Sequence, residues 1–268
     1  MRRQSSLARL LASAAVTAIL AVGLGGCQTM SDITGSITSP ANASPSPDAD
    51  PHRAVEIYGE RYRANPKDTE AAFAYGQALR GTGQRAQAVA MLERATLANP
   101  GNKQLLAAYG RALVDNGNFQ QGFDVLARAH SPENPQWRIL SVQGTALDQL
   151  GRHEEARRYY TSALGIVPDE PSVLSNLGLS YVLSKDLPKA EETLRRAYAS
   201  TKADARVRQN LGLVVGLQGR YAEAESIVKA DLPADEAAAN VAYLKEMMSR
   251  KDTRGAKALP VAALSRPD

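Results

Sequence analysis

Residues 174–179 read LSNLGL and residues 208–213 read RQNLGL, so an Asn-Leu-Gly-Leu core returns after 34 residues. Working outward, Gly178 and Gly212 close a series that includes Gly76, Gly110 and Gly144 at the same interval. One helical turn after each glycine stands Leu79, Leu113, Leu147, Tyr181 or Val215. Further along come the small residues Ala88, Gly122, Ala156, Ala190 and Ala224, then the bulkier Leu92, Leu126, Tyr160, Leu194 and Val228. Two apolar faces of helical period separated by a break predict a hairpin of amphipathic helices, with the small residues letting the second helix approach the first. The breaks contain Gly81-Thr82-Gly83, Asn116-Gly117-Asn118, Leu150-Gly151-Arg152 and Gln218-Gly219-Arg220. The fourth reads Lys185-Asp186-Leu187, without glycine. Pro100 and Pro168 end second helices, and Pro135 stands one place later in its unit.

This pattern resembles the tetratricopeptide repeat over residues 51–250. The resemblance implies an all-α, right-handed superhelical solenoid of about five helical hairpins with terminal capping helices. Units are expected to begin near Thr69, Lys103, Trp137, Pro171 and Ala205, after a half repeat over 51–66 that aligns with a second helix. A capping helix is expected over 234–249, with Ala238, Val241, Tyr243, Leu244 and Met248 available for packing. Residues 251–268, with Gly255, Pro260 and Pro267, read as a flexible tail.

The first 27 residues are of another kind. Arg2, Arg3 and Arg9 precede or open an uncharged run, Leu10–Gly26, that stops at Cys27, the single cysteine of the 268-residue chain. A basic start followed by a short apolar run reads as an export signal over 1–26, too short for a comfortable bilayer span. Leu24-Gly25-Gly26-Cys27 resembles a bacterial lipoprotein signal, which implies a covalent lipid on Cys27, and Gln28 after it implies an outer-membrane address with the body facing the periplasm. Residues 27–50, rich in Ser, Thr and Pro, read as the lipidated cysteine and a flexible tether. One cysteine also excludes an intrachain disulfide framework. Without the three leader arginines the formal charge of +4 falls to +1, so nucleic acid is not an expected partner.

In a stack of curved hairpins the first helices line the concave side, where a peptide or partner helix can lie. Candidate groove positions are Phe73, Gln77, Arg80, Arg111 and Arg138, then Ser175, Leu179, Val182, Gln209 and Leu213, with Val114, Ser141, Thr145, Asp148, Leu183 and Leu217 beside them. The early groove is polar and partly basic, and the later groove is more apolar. Core packing is the competing reading for the later leucines and valines, because periodicity does not resolve a helix's rotation to one residue. Asn176 and Asn210 are placed to bond across adjacent helices, and Trp137 to anchor a joint between units. Gly76, Gly110, Gly144, Gly178 and Gly212, with Ala88, Ala156, Ala190 and Ala224, are assigned to repeat packing.

Catalytic signals are weak. His153-Glu154-Glu155-Ala156-Arg157 opens like a zinc-protease helix, but Arg157 stands where a second histidine ligand is required. His52, His130 and His153 fall on different elements and form no metal set, and no phosphate-binding loop is present. The reading is a protein without enzymatic activity, metal or cofactor, apart from the covalent lipid.

Residues 174–200, 207–233 and 238–248, together with the lipoprotein signal and tether, resemble the TadD family of outer-membrane lipoproteins of the tight-adherence, or Flp, pilus assembly system. Gly178 and Gly212 depart from the alanine common at that place in the family. The resemblance implies an assembly factor whose partner is a pilus secretin or another secretion-system protein, with effects on adhesion and biofilm formation. The alternative is an outer-membrane repeat adaptor for cell-wall hydrolases, or a pilotin of another secretion system.

Overall fold

The computed structural model describes residues 50–131 and 133–256. The export signal, Cys27, nearly all of the tether and residues 257–268 lie outside the described residues.

Among the described residues the chain is all helix: α1 Pro51–Ala64, α2 Thr69–Gly81, α3 Arg85–Ala98, α4 Lys103–Asp115, α5 Phe119–Ala129, α6 Trp137–Gln149, α7 His153–Ile166, α8 Pro171–Leu183, α9 Leu187–Tyr198, α10 Ala205–Leu217, α11 Tyr221–Val228 and α12 Ala234–Ala256. Local chemistry sets where they start. The carboxylates of Asp50, Asp68 and Asp204 and the amide oxygen of Asn102 accept hydrogen bonds from His52, Ala71, Val207 and Leu105 backbone N–H groups, satisfying donors that have no partner inside the helix. In α8 Pro171 opens the helix with a φ already suited to it.

Each first helix ends in the same way. The N–H groups of Gln84, Asn118, Arg152, Asp186 and Arg220 reach back to the carbonyls of Leu79, Leu113, Leu147, Tyr181 and Val215 at 2.8–3.2 Å. That closure needs a left-handed residue just before it. Gly83, Gly117, Gly151 and Gly219 supply it with φ between 74° and 88°, and in the fourth hairpin Lys185 adopts φ 65° in their place.

The hairpins pack through the periodic glycines. A Cβ on Gly110, Gly144, Gly178 or Gly212 would lie 2.6 Å from Leu126, Tyr160, Leu194 or Val228, and one on Gly76 would lie 2.8 Å from Leu92. The bulky side chain of the second helix thus rests on bare backbone of the first. Ala88, Ala156, Ala190 and Ala224, from the second helices, are buried in the same seams. Consecutive first helices, α2, α4, α6, α8 and α10, touch one another in series, whereas each second helix touches only its own first helix and the next. The result is a solenoid with a continuous inner layer of first helices.

α12 closes the far end by packing on α10 and α11. Leu244 covers Gly216, where a Cβ would lie 2.5 Å from its Cδ2 atom. Two expectations are corrected here. The packed stripe is Ala237, Val241, Leu244 and Met248, while Ala238 and Tyr243 face solvent, Tyr243 with 56% of its surface exposed. The helix also continues past Ser249 to Ala256, so residues 251–256 belong to it and not to a flexible tail. No proline interrupts it before Pro260, and one glycine near a helix end costs only about 1 kcal/mol.

Candidate interaction groove

Polar side chains tie the inner layer together. Asn176 Nδ2 donates to Ser141 Oγ at 3.1 Å, joining α6 to α8, and Asn210 Nδ2 donates to Ser175 Oγ at 2.8 Å, joining α8 to α10. Arg80 Nε donates to Asp115 Oδ2 at 2.6 Å between α2 and α4. These bonds decide several groove candidates. Ser175, only 3% exposed, is a joint between helices and not a ligand contact, and the same holds for Ser141. Val114 is likewise core, packed with Leu126 and Ile139.

Other candidates do remain available. Gln77, Arg111 and Arg138 are exposed, and Leu179, Val182, Gln209, Leu213 and Leu217 are half-buried. Phe73 and Gln77 line a cleft against Pro51, Ala54 and Tyr58 of α1. Val182 leans on the core of the fourth and fifth hairpins, so the competing reading of core packing applies to it in part. Trp137 is half-buried against the third hairpin, with the guanidinium of Arg138 4.3 Å above its ring. Arg111 sits among protein atoms and positive charge. That surrounding protein, then Arg80, push its pKa below the usual arginine value; Asp115 opposes this, and Arg206 and Arg138 add smaller downward contributions. Sequence reasoning did not single out Arg206, although it holds the same repeat position as Arg138, six residues before the glycine.

Asp148, placed in the groove by register, is instead 7% exposed. Ser180 Oγ and Tyr160 Oη donate to its carboxylate at 2.8 and 3.0 Å, and His153 Nδ1 lies 2.8 Å away. Burial raises its pKa, opposed by bonds from His153, Ser180 and Tyr160. Burial, reinforced by the Asp148 charge, pushes the Tyr160 phenol well above its ordinary value. The cluster exists because Gly144 admits a tyrosine where the sibling hairpins carry leucine or valine. It is a satisfied internal network that joins α6, α7 and α8. No group of three His, Cys, Asp or Glu side chains among the described residues is placed to hold a metal ion.

Comparison with known proteins agrees with this geometry. Residues 52–129 match a family model described as anaphase-promoting complex, cyclosome, subunit 3, and residues 123–171 and 141–206 match the model described as tetratricopeptide repeat. The described body is a tetratricopeptide-repeat solenoid. Among solved structures, PilW, titled a widely conserved type IV pilus biogenesis factor, superposes with a TM-score of 0.62 at 17% identity, covering 72% of this chain and 91% of PilW. TTC0263, a thermophilic tetratricopeptide-repeat protein of Thermus thermophilus, gives 0.58 at 21% identity, covering 65% of this chain and 97% of its own. The Cut9–Hcn1 hetero-tetramer of the APC/C gives 0.58 at 16% identity, covering 77% of this chain but 44% of that one. At these identities the likeness is one of fold. No curated protein matches the chain. The comparisons thus support the architecture seen here, an all-α solenoid of paired helices. No helix among the described residues is long and apolar enough to cross a membrane.

Proposed function

We propose that the protein is a lipid-anchored scaffold that captures a segment of a secretion-system partner, supporting Flp pilus assembly and placement of the pilus secretin in the outer membrane. The observation that carries the scaffold part is the continuous inner layer of first helices, which presents Gln77, Arg111, Arg138, Leu179 and Leu213 from successive hairpins along one surface. The lipoprotein-like tetrad ending at Cys27 supports the anchor, and the resemblance of residues 174–248 to the TadD family supports the pathway. PilW, a type IV pilus biogenesis factor, has a similar fold. Anchor and groove together would work by effective concentration: the lipid confines the body to the membrane, and the groove then needs only modest affinity for a partner held on the same surface.

A photo-crosslinking residue in place of Gln77 or Leu213, followed by identification of the trapped protein, tests the pathway. Recovery of a pilus secretin is the expected result, and recovery of cell-wall hydrolases would replace it with the adaptor reading. For the anchor, Cys27→Ser is expected to release the protein from the membrane fraction and impair piliation; unchanged fractionation would remove lipidation from the mechanism.

A further inference from the structure

The groove's charge is unevenly compensated. Arg80, Arg111, Arg138 and Arg206 come from four different hairpins, yet Arg80, Arg138 and Arg206 all act electrostatically on Arg111. Arg80 is held by Asp115 at 2.6 Å, and Arg206 lies 3.6 Å from Asp204. No carboxylate among the described residues stands within ion-pair distance of Arg111 or Arg138; Asp115, paired with Arg80, acts on Arg111 only from further away. Bringing like charges together on an exposed face is unfavourable for the isolated protein, and an arriving anion relieves it. Further along the same layer Leu179, Leu213 and Leu217 are half-buried and uncharged.

We infer that the groove takes an acidic segment of a partner polypeptide, seating its carboxylates on Arg111 and Arg138 and its apolar side chains on Leu179 and Leu213. This deepens the scaffold reading and rests on it. Guanidinium groups suit carboxylates because their fork of donors meets both oxygens. Polypeptide is favoured over nucleic acid on two grounds. Beyond the leader the chain carries a balance of only +1, so no extended positive field is available to neutralise a row of phosphates. Trp137, beside Arg138, packs against the third hairpin and has that guanidinium over its ring, so a base stacking there would have to displace it.

Fluorescence anisotropy with the full chain tests the inference. The probe is a labelled peptide of Asp, Glu and Leu; its control replaces Asp and Glu with Asn and Gln, and a labelled oligothymidine is the third ligand. The acidic peptide is expected to bind at least about tenfold more tightly than its neutral control, and the Arg111→Gln/Arg138→Gln double variant to lose roughly tenfold in affinity. Arg128→Gln, an exposed change on α5, is expected to leave binding unchanged, and circular dichroism to show the same helix content in all variants. Equal binding of the acidic and neutral peptides would overturn the charge selectivity while leaving the scaffold reading in place. Undiminished binding of the acidic peptide by the double variant would overturn the assignment to these arginines. Tighter binding of oligothymidine than of the acidic peptide would overturn the polypeptide occupant.

Discussion

Lys185 holds a left-handed backbone with φ 65° so that Asp186 N–H can reach the Tyr181 carbonyl at 2.9 Å. An L side chain there costs about 1–2 kcal/mol in backbone strain, partly offset by the greater freedom that glycine has when unfolded. Lys185→Gly is therefore expected to raise stability by about 0.5–1 kcal/mol in urea denaturation. Glycines at seams behave in the opposite way. Gly178→Ala would place Cβ 2.6 Å from Leu194 Cγ, a branch point that cannot swing aside, and is expected to cost about 1–3 kcal/mol in the same measurement. Gly165→Ala is the contrast, since nothing lies within 4 Å of a Cβ built there and the helix gains roughly 0.5–1 kcal/mol from the better helix former. The sequence alone tells Gly178 from Gly165, because Gly178 obeys the 34-residue interval and Gly165 does not.

Turns between elements carry the ion pairs that respond to pH. Glu191 on α9 accepts from Arg220, from Arg195 Nε at 2.8 Å and from Gln218 Nε2 at 2.8 Å, tying α9 to the turn between α10 and α11. The Arg220 bond first, then those from Arg195 and Gln218, hold its pKa down at about 2 against the opposing effect of burial. A carboxyl with a lowered folded pKa stabilises above its unfolded value near 4.5 and loses that contribution as pH falls toward about 2. Glu191→Gln is expected to lower stability by about 1–2 kcal/mol at pH 7, discounted for its partly exposed partners, with the difference shrinking as denaturation is repeated at pH 4 and pH 3. Asp148 works with the reverse sign: its raised pKa makes its contribution greatest below the ordinary aspartate value and smaller as pH rises through the folded one. Helix placement was legible because it depends on period, breakers and caps. Side-chain orientation was not, since α12 packs Ala237 and Leu244 and a rotation by one residue exchanges Ala237 for Ala238. Asp148 sits in a groove register, and only its three-dimensional partners, Tyr160, His153 and Ser180, take it inside.

Across the whole solenoid each hairpin touches only its neighbours, so damage stays local. Leu244→Ala removes the cover from Gly216 and is expected to cost about 2–3 kcal/mol, appearing as faster amide exchange in α10–α12 with α2–α5 unchanged. The repeat architecture was readable from one interval. The action of the Arg206 charge on Arg111 was not, because the two stand in the fifth and second hairpins and no single repeat contains both. The inner-layer bonds have a mechanical consequence. Between α6, α8 and α10, sliding must break the Asn176–Ser141 or Asn210–Ser175 bond, both short and directional. At the matching places earlier in the stack stand Phe73 with Ala108 and Ala107 with Val142, which can exchange one apolar contact for another, and the Arg80–Asp115 pair rides on a long side chain that follows such motion. The solenoid is a spring of two stiffnesses, and a load drawn into it widens the amino-terminal coils first.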